Sequence, residues 1–481
     1  MQKAKELVLV GLLLFICMSC SKKTPLTPAE GPLILEEKST VSNPQRMAEE
    51  MIRSIGWEID QKAGENAGIL PGLNKIHSGH VARYRRDPMS GNIAHYTFIL
   101  RTGPGPYDEI GLHRVVKEKR AFAPIKSSRN IFLQHGDAKD FSGIFLPGMR
   151  SSHMADEHGI AYFLADADID VWGIDQAWTL VPPGLSDVSF MMDWGLDRQV
   201  KDLSLALSIA RFSRLLTGAG SDPMILSGYS SGVVTGYALL NEETQVAEKE
   251  RNVRGFIPVD LGLKLEDPYQ KGFFSDYANT AQSMIADGQA CEEVAFQPLG
   301  FLARTEPDSA SPILEGLTNL QAALFFAGGQ VFGEGATFHY IAAKLEEGFP
   351  TDLHLMTIPQ WLDFLEASVP YEPWKFEADY CAFFADAGET TFDDHITEIV
   401  VPIFNVAAAG GIGELGKYGT TLLGSSDITH LVVSLGKPSL LEEFGHIDLF
   451  TADMAPIMVW QPILEWIRSH SPVPRYMIKA D

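Results

Sequence analysis

The spacing of apolar positions changes character along the chain. Over residues 45–62, Met47, Met51, Ile52, Ile55 and Ile59 recur on one face at helical spacing. Residues 79–86, 93–101 and 110–116 read as strands. The middle run alternates, with Ala94, Tyr96, Phe98 and Leu100 on one side. Gly91-Asn92 and Gly103-Pro104-Gly105-Pro106 punctuate these runs as turns, which predicts antiparallel strands at one edge of a sheet. From about residue 129 the strand-like runs become apolar throughout, at 130–134, 170–174, 223–227, 253–259, 399–406 and 430–435. Helical stretches such as 193–216 and 454–469 separate them. Strands of this kind, interleaved with helices, predict an α/β fold: a mostly parallel sheet covered on both faces.

One interval breaks the alternation. Between residues 260 and 394 no comparable strand occurs, and the segment is rich in helix formers and aromatics, among them Phe273, Phe274, Phe325, Phe326, Trp361 and Trp374. It reads as a helical cap at 263–395, inserted into a core made of residues 45–262 and 396–481. Leu324, Phe325, Phe326, Val331 and Phe332 are the apolar cap residues expected to line an acyl pocket.

The first 44 residues follow neither pattern. Lys3 and Lys5 precede an apolar run at 7–16, too short to span a bilayer comfortably, and then Cys17-Met18-Ser19-Cys20. This is the layout of a signal peptide at 1–20, and Ser19-Cys20 resembles the cleavage site of a bacterial lipoprotein, with Cys20 lipidated. The expectation is an exported chain anchored to a membrane, on the periplasmic or cell-surface side, with residues 21–44 as a polar tether. The Cys17/Cys20 pair falls inside the leader and is not read as a redox motif. Cys291 and Cys381 are the remaining cysteines, either paired or separate. With 62 acidic against 38 basic residues the net charge is -24, which repels phosphate backbones and argues against nucleic acid as a partner.

The chemistry concentrates in short segments at strand ends. Gly228-Tyr229-Ser230-Ser231-Gly232 follows a strand and opens a helix. That context lets the backbone turn sharply and lifts the Ser230 hydroxyl above the sheet edge, beside the positive end of a helix. Ser230 is the candidate nucleophile. Gln134-His135-Gly136-Asp137 also follows a strand, and the backbone N–H groups of Asp137 and Ser231 are the candidate oxyanion donors. Phe444-Gly445-His446-Ile447-Asp448 lies between the last strand and the last long helix, which makes His446 the candidate general base among 13 histidines. The acidic partner of His446 has three candidates: Glu414, the first carboxylate after the 399–406 strand, then Asp427 and Asp260.

Gln134-His135-Gly136, Ile169-Asp170-Val171-Trp172, Gly228-Tyr229-Ser230-Ser231-Gly232 and Gly445-His446-Ile447-Asp448-Leu449-Phe450 together resemble the α/β-hydrolase superfamily, and within it the acid lipases of the gastric and lysosomal type. The resemblance implies a Ser-His-acid triad and hydrolysis of carboxylic esters, and suggests lipid esters as the substrate class, while the cap differs too much to carry over a specific one; no cofactor is expected. The acid lipases carry an aspartate after a Gly-Gly-x loop. Here Gly410-Gly411-Ile412 is followed by Gly413, with Glu414 one residue on, so a shifted glutamate or an acid elsewhere is implied.

Other readings are weaker. Gly411-Ile412-Gly413-Glu414-Leu415-Gly416 matches a dinucleotide-binding G-x-G-x-x-G, but the next strand ends in Gly436-Lys437 where a ribose-binding carboxylate belongs. His153 and His158 are five apart, not the four that put two zinc ligands on one helical face, so no metal is expected. A lipid-anchored binding or scaffold protein with an incomplete triad is the non-enzymatic alternative.

Overall fold

The computed structural model describes residues 81–329, 338–388 and 390–471. The leader, Cys20, the tether, the 45–62 helix, Val331 and Phe332 lie outside the described residues.

A ten-stranded sheet organises the chain. Its strands are β1 (Val81–Pro88), β2 (Ile93–Arg101), β3 (Glu109–Arg120), β4 (Asn130–Gln134), β5 (Asp170–Asp175), β6 (Met224–Tyr229), β7 (Val253–Val259), β8 (Ile403–Ala408) and β9 (Ile428–Val433). The tenth, Ala123–Pro124, pairs with β3 off the main path. Across the sheet the order is β1-β2-β3-β5-β4-β6-β7-β8-β9. The pairs from β1 to β5 run antiparallel, and those from β5 to β9 run parallel. The alternating and the uniformly apolar runs of the sequence thus correspond to the antiparallel edge and the parallel centre.

The central strands send side chains alternately to two cores. Ile131, Leu133, Val171, Ile225, Ile257 and Val259 join one cluster, while Phe132, Trp172, Leu226 and Phe256 join the other. Burying such a side chain stabilises the fold by about 1.5–3 kcal/mol, which is why these strands carry no polar alternation. One core is completed by α1 (Ile160–Asp166), the other by α2 (Leu196–Leu216) and α3 (Ser231–Thr244).

Between β7 and β8 the chain builds the cap: α4 (Pro268–Ala286), α5 (Phe296–Thr305), α6 (Asn319–Gly328), α7 (Ile358–Glu366) and α8 (Trp374–Ala385). Thr318 with Gln321 and Thr357 with Gln360 form capping boxes that start α6 and α7. Two short antiparallel pairs accompany the helices, Cys291–Glu293 with Tyr371–Pro373 and the hairpin of Ala343–Glu346 with Phe349–Leu353, and neither joins the main sheet. After β8 come α9 (Gly413–Thr420) and α10 (Gln461–Ser469), the latter packing on the α1 side. No described helix is long and apolar enough to cross a membrane. Cys291 and Cys381 are not bonded to each other; both are free thiols.

The first parallel strand is locked by buried charge. Asp170, at the start of β5, takes both Nε and Nη2 of Arg114 from β3 at 2.8 and 3.0 Å, and Nη1 of Arg214 from α2 at 2.5 Å. Arg214 and Asp170 are fully buried. Burial alone pushes the Asp170 carboxyl up, but the two guanidinium groups outweigh it and hold the group below the ordinary carboxylate range. Breaking such a cluster leaves two cations buried without their counter-charge. Asp170→Asn is therefore expected to destabilise the protein by about 3–5 kcal/mol, read as a lowered midpoint in thermal or urea denaturation. The carboxylate's contribution is present above its unfolded pKa near 3.8 and is lost as pH falls below it.

Candidate active site

The β6–α3 turn holds Ser230 at φ 55 and ψ -133, a conformation that costs an L-residue roughly 1–3 kcal/mol. Its neighbours explain how the turn closes. A Cβ on Gly228 would lie 2.4 Å from the Gly232 carbonyl oxygen, and one on Gly232 would lie 2.4 Å from that of His135. Only hydrogen fits at either place, so β6, α3 and the β4 loop approach at backbone distance. Ser231 is the first residue of α3, and its N–H has no partner within the helix.

The loop after β4 runs alongside. His135 is buried; its Nε2 accepts the Gln176 N–H at 3.1 Å, so Nδ1 carries the proton and donates to the Gly136 carbonyl at 2.8 Å. Burial lowers the pKa of this histidine and keeps it neutral. The planar peptide sets the Asp137 N–H opposite the Gly136 carbonyl, so the bond that holds that carbonyl also orients the N–H. A Cβ on Gly136 would stand 2.5 Å from Ser230 Cβ and 3.3 Å from Oγ, which brings this peptide against the serine.

His446 lines the same cavity as Ser230. Its ring stacks on Tyr229 with centroids 4.6 Å apart, and the Tyr229 hydroxyl donates to the His446 carbonyl at 3.1 Å. The loop is held from the cap, because the His446 and Ile447 N–H groups donate to the carbonyls of His339 and Tyr340 at 3.0 and 2.9 Å. Asp448 ties the same two segments together, accepting from Ala342 N at 2.7 Å and Gly445 N at 2.8 Å, with its carboxyl pushed up to about 7 by burial.

The carboxylate in contact with His446 is that of Asp260, and Glu414 and Asp427 lie elsewhere. Asp260 Oδ2 lies 2.7 Å from His446 Nδ1 and also accepts the Ile412 N–H at 3.2 Å, while Oδ1 accepts from Ala408 N at 2.7 Å. The residue is fully buried just after β7, at φ 54. Glu414 instead sits in the first turn of α9, exposed to solvent and 3.6 Å from Lys417. Asp427 is exposed too, 3.3 Å from His470. The glycine run has a different use from the one its spacing suggests. A Cβ on Gly411 would stand 2.1 Å from Asp260 Oδ2, and one on Gly413 would stand 2.6 Å from Oδ1. The G-x-G-x-x-G segment therefore wraps a carboxylate of the neighbouring strand and leaves no cradle for a pyrophosphate. His153 and His158 are likewise separate, bonded to Asp363 and to the Thr451 carbonyl.

The cavity, of about 170 Å³, is walled mainly by aromatic and aliphatic side chains. Of the apolar cap residues singled out in the sequence, Phe326 lines it. Leu324 is buried within the hydrophobic core and Phe325 faces Phe349. Sequence reasoning missed a group of carboxyls on the same wall. Asp137 accepts the hydroxyls of Ser231 and, at 3.3 Å, Tyr380. Glu372 accepts the Ala138 N–H at 2.7 Å, and Glu377 lies beside it. One oxygen from each of Asp137, Glu372 and Glu377 lies within 4.8 Å of the others, a spacing that a cation could bridge. Glu292 lines the cavity as well. Burial, reinforced by their mutual charge, pushes Glu292 up to about 8 and Glu372 and Glu377 well above the usual carboxylate range.

No family model matches the sequence, and no curated protein matches it. Solved structures do resemble the fold. A candidate lipase from Sulfolobus solfataricus is 17% identical with a TM-score of 0.54, over 81% of this chain and 99% of that one. A thermophilic esterase from Thermogutta terrifontis is 14% identical with a TM-score of 0.36, over 78% and 99%. A monoglyceride lipase from Saccharomyces cerevisiae is 11% identical with a TM-score of 0.39, over 81% and 96%. The strand order, the serine turn after β6 and the first of these likenesses agree on one architecture: the chain has the α/β-hydrolase fold.

Proposed function

We propose that the protein is a serine hydrolase of carboxylic esters. The observation that carries this reading is the contact of His446 Nδ1 with the buried Asp260 carboxylate at 2.7 Å, in a cavity shared with the strained Ser230. Ser230 Oγ attacks the ester carbonyl carbon, and its proton passes to His446 Nε2. The carbonyl oxygen becomes an oxyanion and takes the N–H groups of Asp137 and Ser231. Collapse expels the alcohol, which leaves with the proton from His446. Water, deprotonated by the same ring, then attacks the acyl-enzyme and releases the acid. Asp260 holds Nδ1–H and so keeps Nε2 free to accept.

Ser230→Ala and His446→Ala are each expected to lower kcat on short p-nitrophenyl esters by at least about 10⁴-fold without changing the thermal midpoint by more than a few degrees. A fluorophosphonate probe is expected to label Ser230 in the wild type and nothing in Ser230→Ala; unlabelled folded wild type would instead support a binding or scaffold protein. Asp260→Asn is expected to cost about 10³–10⁴-fold in kcat through loss of the correct tautomer, whereas Glu414→Gln leaves it within about twofold. Comparable losses in the two would return the role to Glu414.

The placement of the enzyme is a proposal as well. Lys3, Lys5, the apolar 7–16 run and Ser19-Cys20 support export and anchoring through an acylated Cys20. Cys20→Ser is expected to move the protein from the membrane pellet to the soluble fraction, or to leave the leader uncleaved; wild type found wholly soluble after export would refute the anchor.

A further inference from the structure

The carboxyls beside Ser230 are not accounted for by ester hydrolysis. An acyl pocket for a hydrocarbon chain gains from apolar walls and loses from every buried acid. Here Glu372 and Glu377 are each only 3% exposed, and Glu292 and Asp137 face the same cavity. The Tyr277 and Tyr380 hydroxyls bond to the Glu377 carboxyl, but its Oε1 is buried with no hydrogen-bond partner among the described residues. Such an atom costs free energy unless a ligand supplies the missing donor. Lys139 does not supply it, because its Nζ is bonded to the Phe364 carbonyl and lies over the Phe364 ring.

We propose that Asp137, Glu372 and Glu377 form a cation subsite of the cavity that takes a primary ammonium group carried by the substrate. The turnover part of this proposal rests on the ester-hydrolase reading. An –NH₃⁺ group has three donors, and three N–H···O bonds of about 2.8 Å place their acceptors about 4.6 Å apart. The three carboxyls, which a bound cation would hold deprotonated, each offer one oxygen, and these lie within 4.8 Å of one another, a limit that admits this spacing. Calcium would ask for six to eight oxygen ligands, twice or more what these three carboxyls offer with one atom each. Asp137 belongs to the loop that carries the oxyanion N–H, and it accepts the hydroxyl of Ser231 next to the nucleophile. A substrate anchored here occupies the cavity that Ser230 also lines. Neutral lipid esters gain nothing from such a wall, so the substrate class narrows to esters with a cationic amine on the acyl or the alcohol side.

Binding and turnover test this separately. By calorimetry, hexylammonium chloride is expected to bind the wild-type protein at least about tenfold more tightly than 1-hexanol, the scale of a charge-assisted hydrogen bond, and to lose most of that advantage in Glu377→Gln and in Glu372→Gln. Equal affinity for the two probes overturns the proposal, as does an advantage that survives both substitutions. In turnover, kcat/KM is compared within two isosteric pairs, ethyl 6-aminohexanoate against ethyl heptanoate and 6-aminohexyl acetate against heptyl acetate. At least one amine is expected to be favoured about tenfold; preference in neither pair overturns the substrate assignment while leaving ester hydrolysis in place. If none of the four esters is hydrolysed but hexylammonium binds as expected, the ester reading fails and the cation subsite stands. Calcium chloride that binds in the micromolar range and displaces hexylammonium would assign the cluster to a metal ion and overturn the proposal.

Discussion

The buried carboxylate of Asp260 is the point on which the active region is assembled. A fully desolvated anion is tolerated only where hydrogen-bond donors surround it. Those donors come from the end of β8, from the glycine loop that follows it and from His446. Satisfying one charge therefore fixes the relative position of three segments that are far apart in the chain. Ser230 and the Asp137 and Ser231 N–H groups are set instead by backbone packing at the β6–α3 turn and the loop after β4, and His446 by its contact with Asp260.

Much of this was legible in the sequence. Uniform apolarity marked the central parallel strands, because both of their faces are buried, and alternation marked β2 at the antiparallel edge. Ser230, His446 and the His135-Gly136 turn announced themselves because each follows a strand and depends on local backbone chemistry. The acid was another matter. A carboxylate after β8 was the natural choice while the glycines of residues 410–413 were taken as part of its own loop. In fact Asp260 reaches across from the neighbouring strand and fills the volume a Cβ on Gly411 would need, and crowds that of Gly413, while Gly410 makes room for His339. The signal was present as two facts that sequence does not connect: an aspartate directly after a buried strand, and a neighbouring loop stripped of side chains.

The carboxyl wall was illegible for a similar reason. Asp137, Glu292, Glu372 and Glu377 belong to a core loop, a short cap strand, its partner strand and a cap helix. In a chain with 62 acidic residues no one of them stands out. Only the tertiary fold shows that Glu372 and Glu377 are buried and that Asp137 and Glu292 face the same cavity. The aromatic richness of the cap pointed to an apolar pocket, and the walls are indeed largely apolar; what it concealed was the polar group set among them.

The bonds between the cap and the histidine loop bear on how this architecture can change. His339 and Tyr340 belong to the insertion, yet their carbonyls hold the backbone N–H groups of His446 and Ile447, and the Ala342 N–H shares Asp448 with Gly445. The insertion is thus not an interchangeable module. Grafting a different cap between β7 and β8 would remove backbone acceptors on which the His446 loop depends, and a graft would have to bring its own. Diversification is accordingly easier in the helices that face the cavity than in the short return segment at residues 338–342, which serves the cap and the core at once.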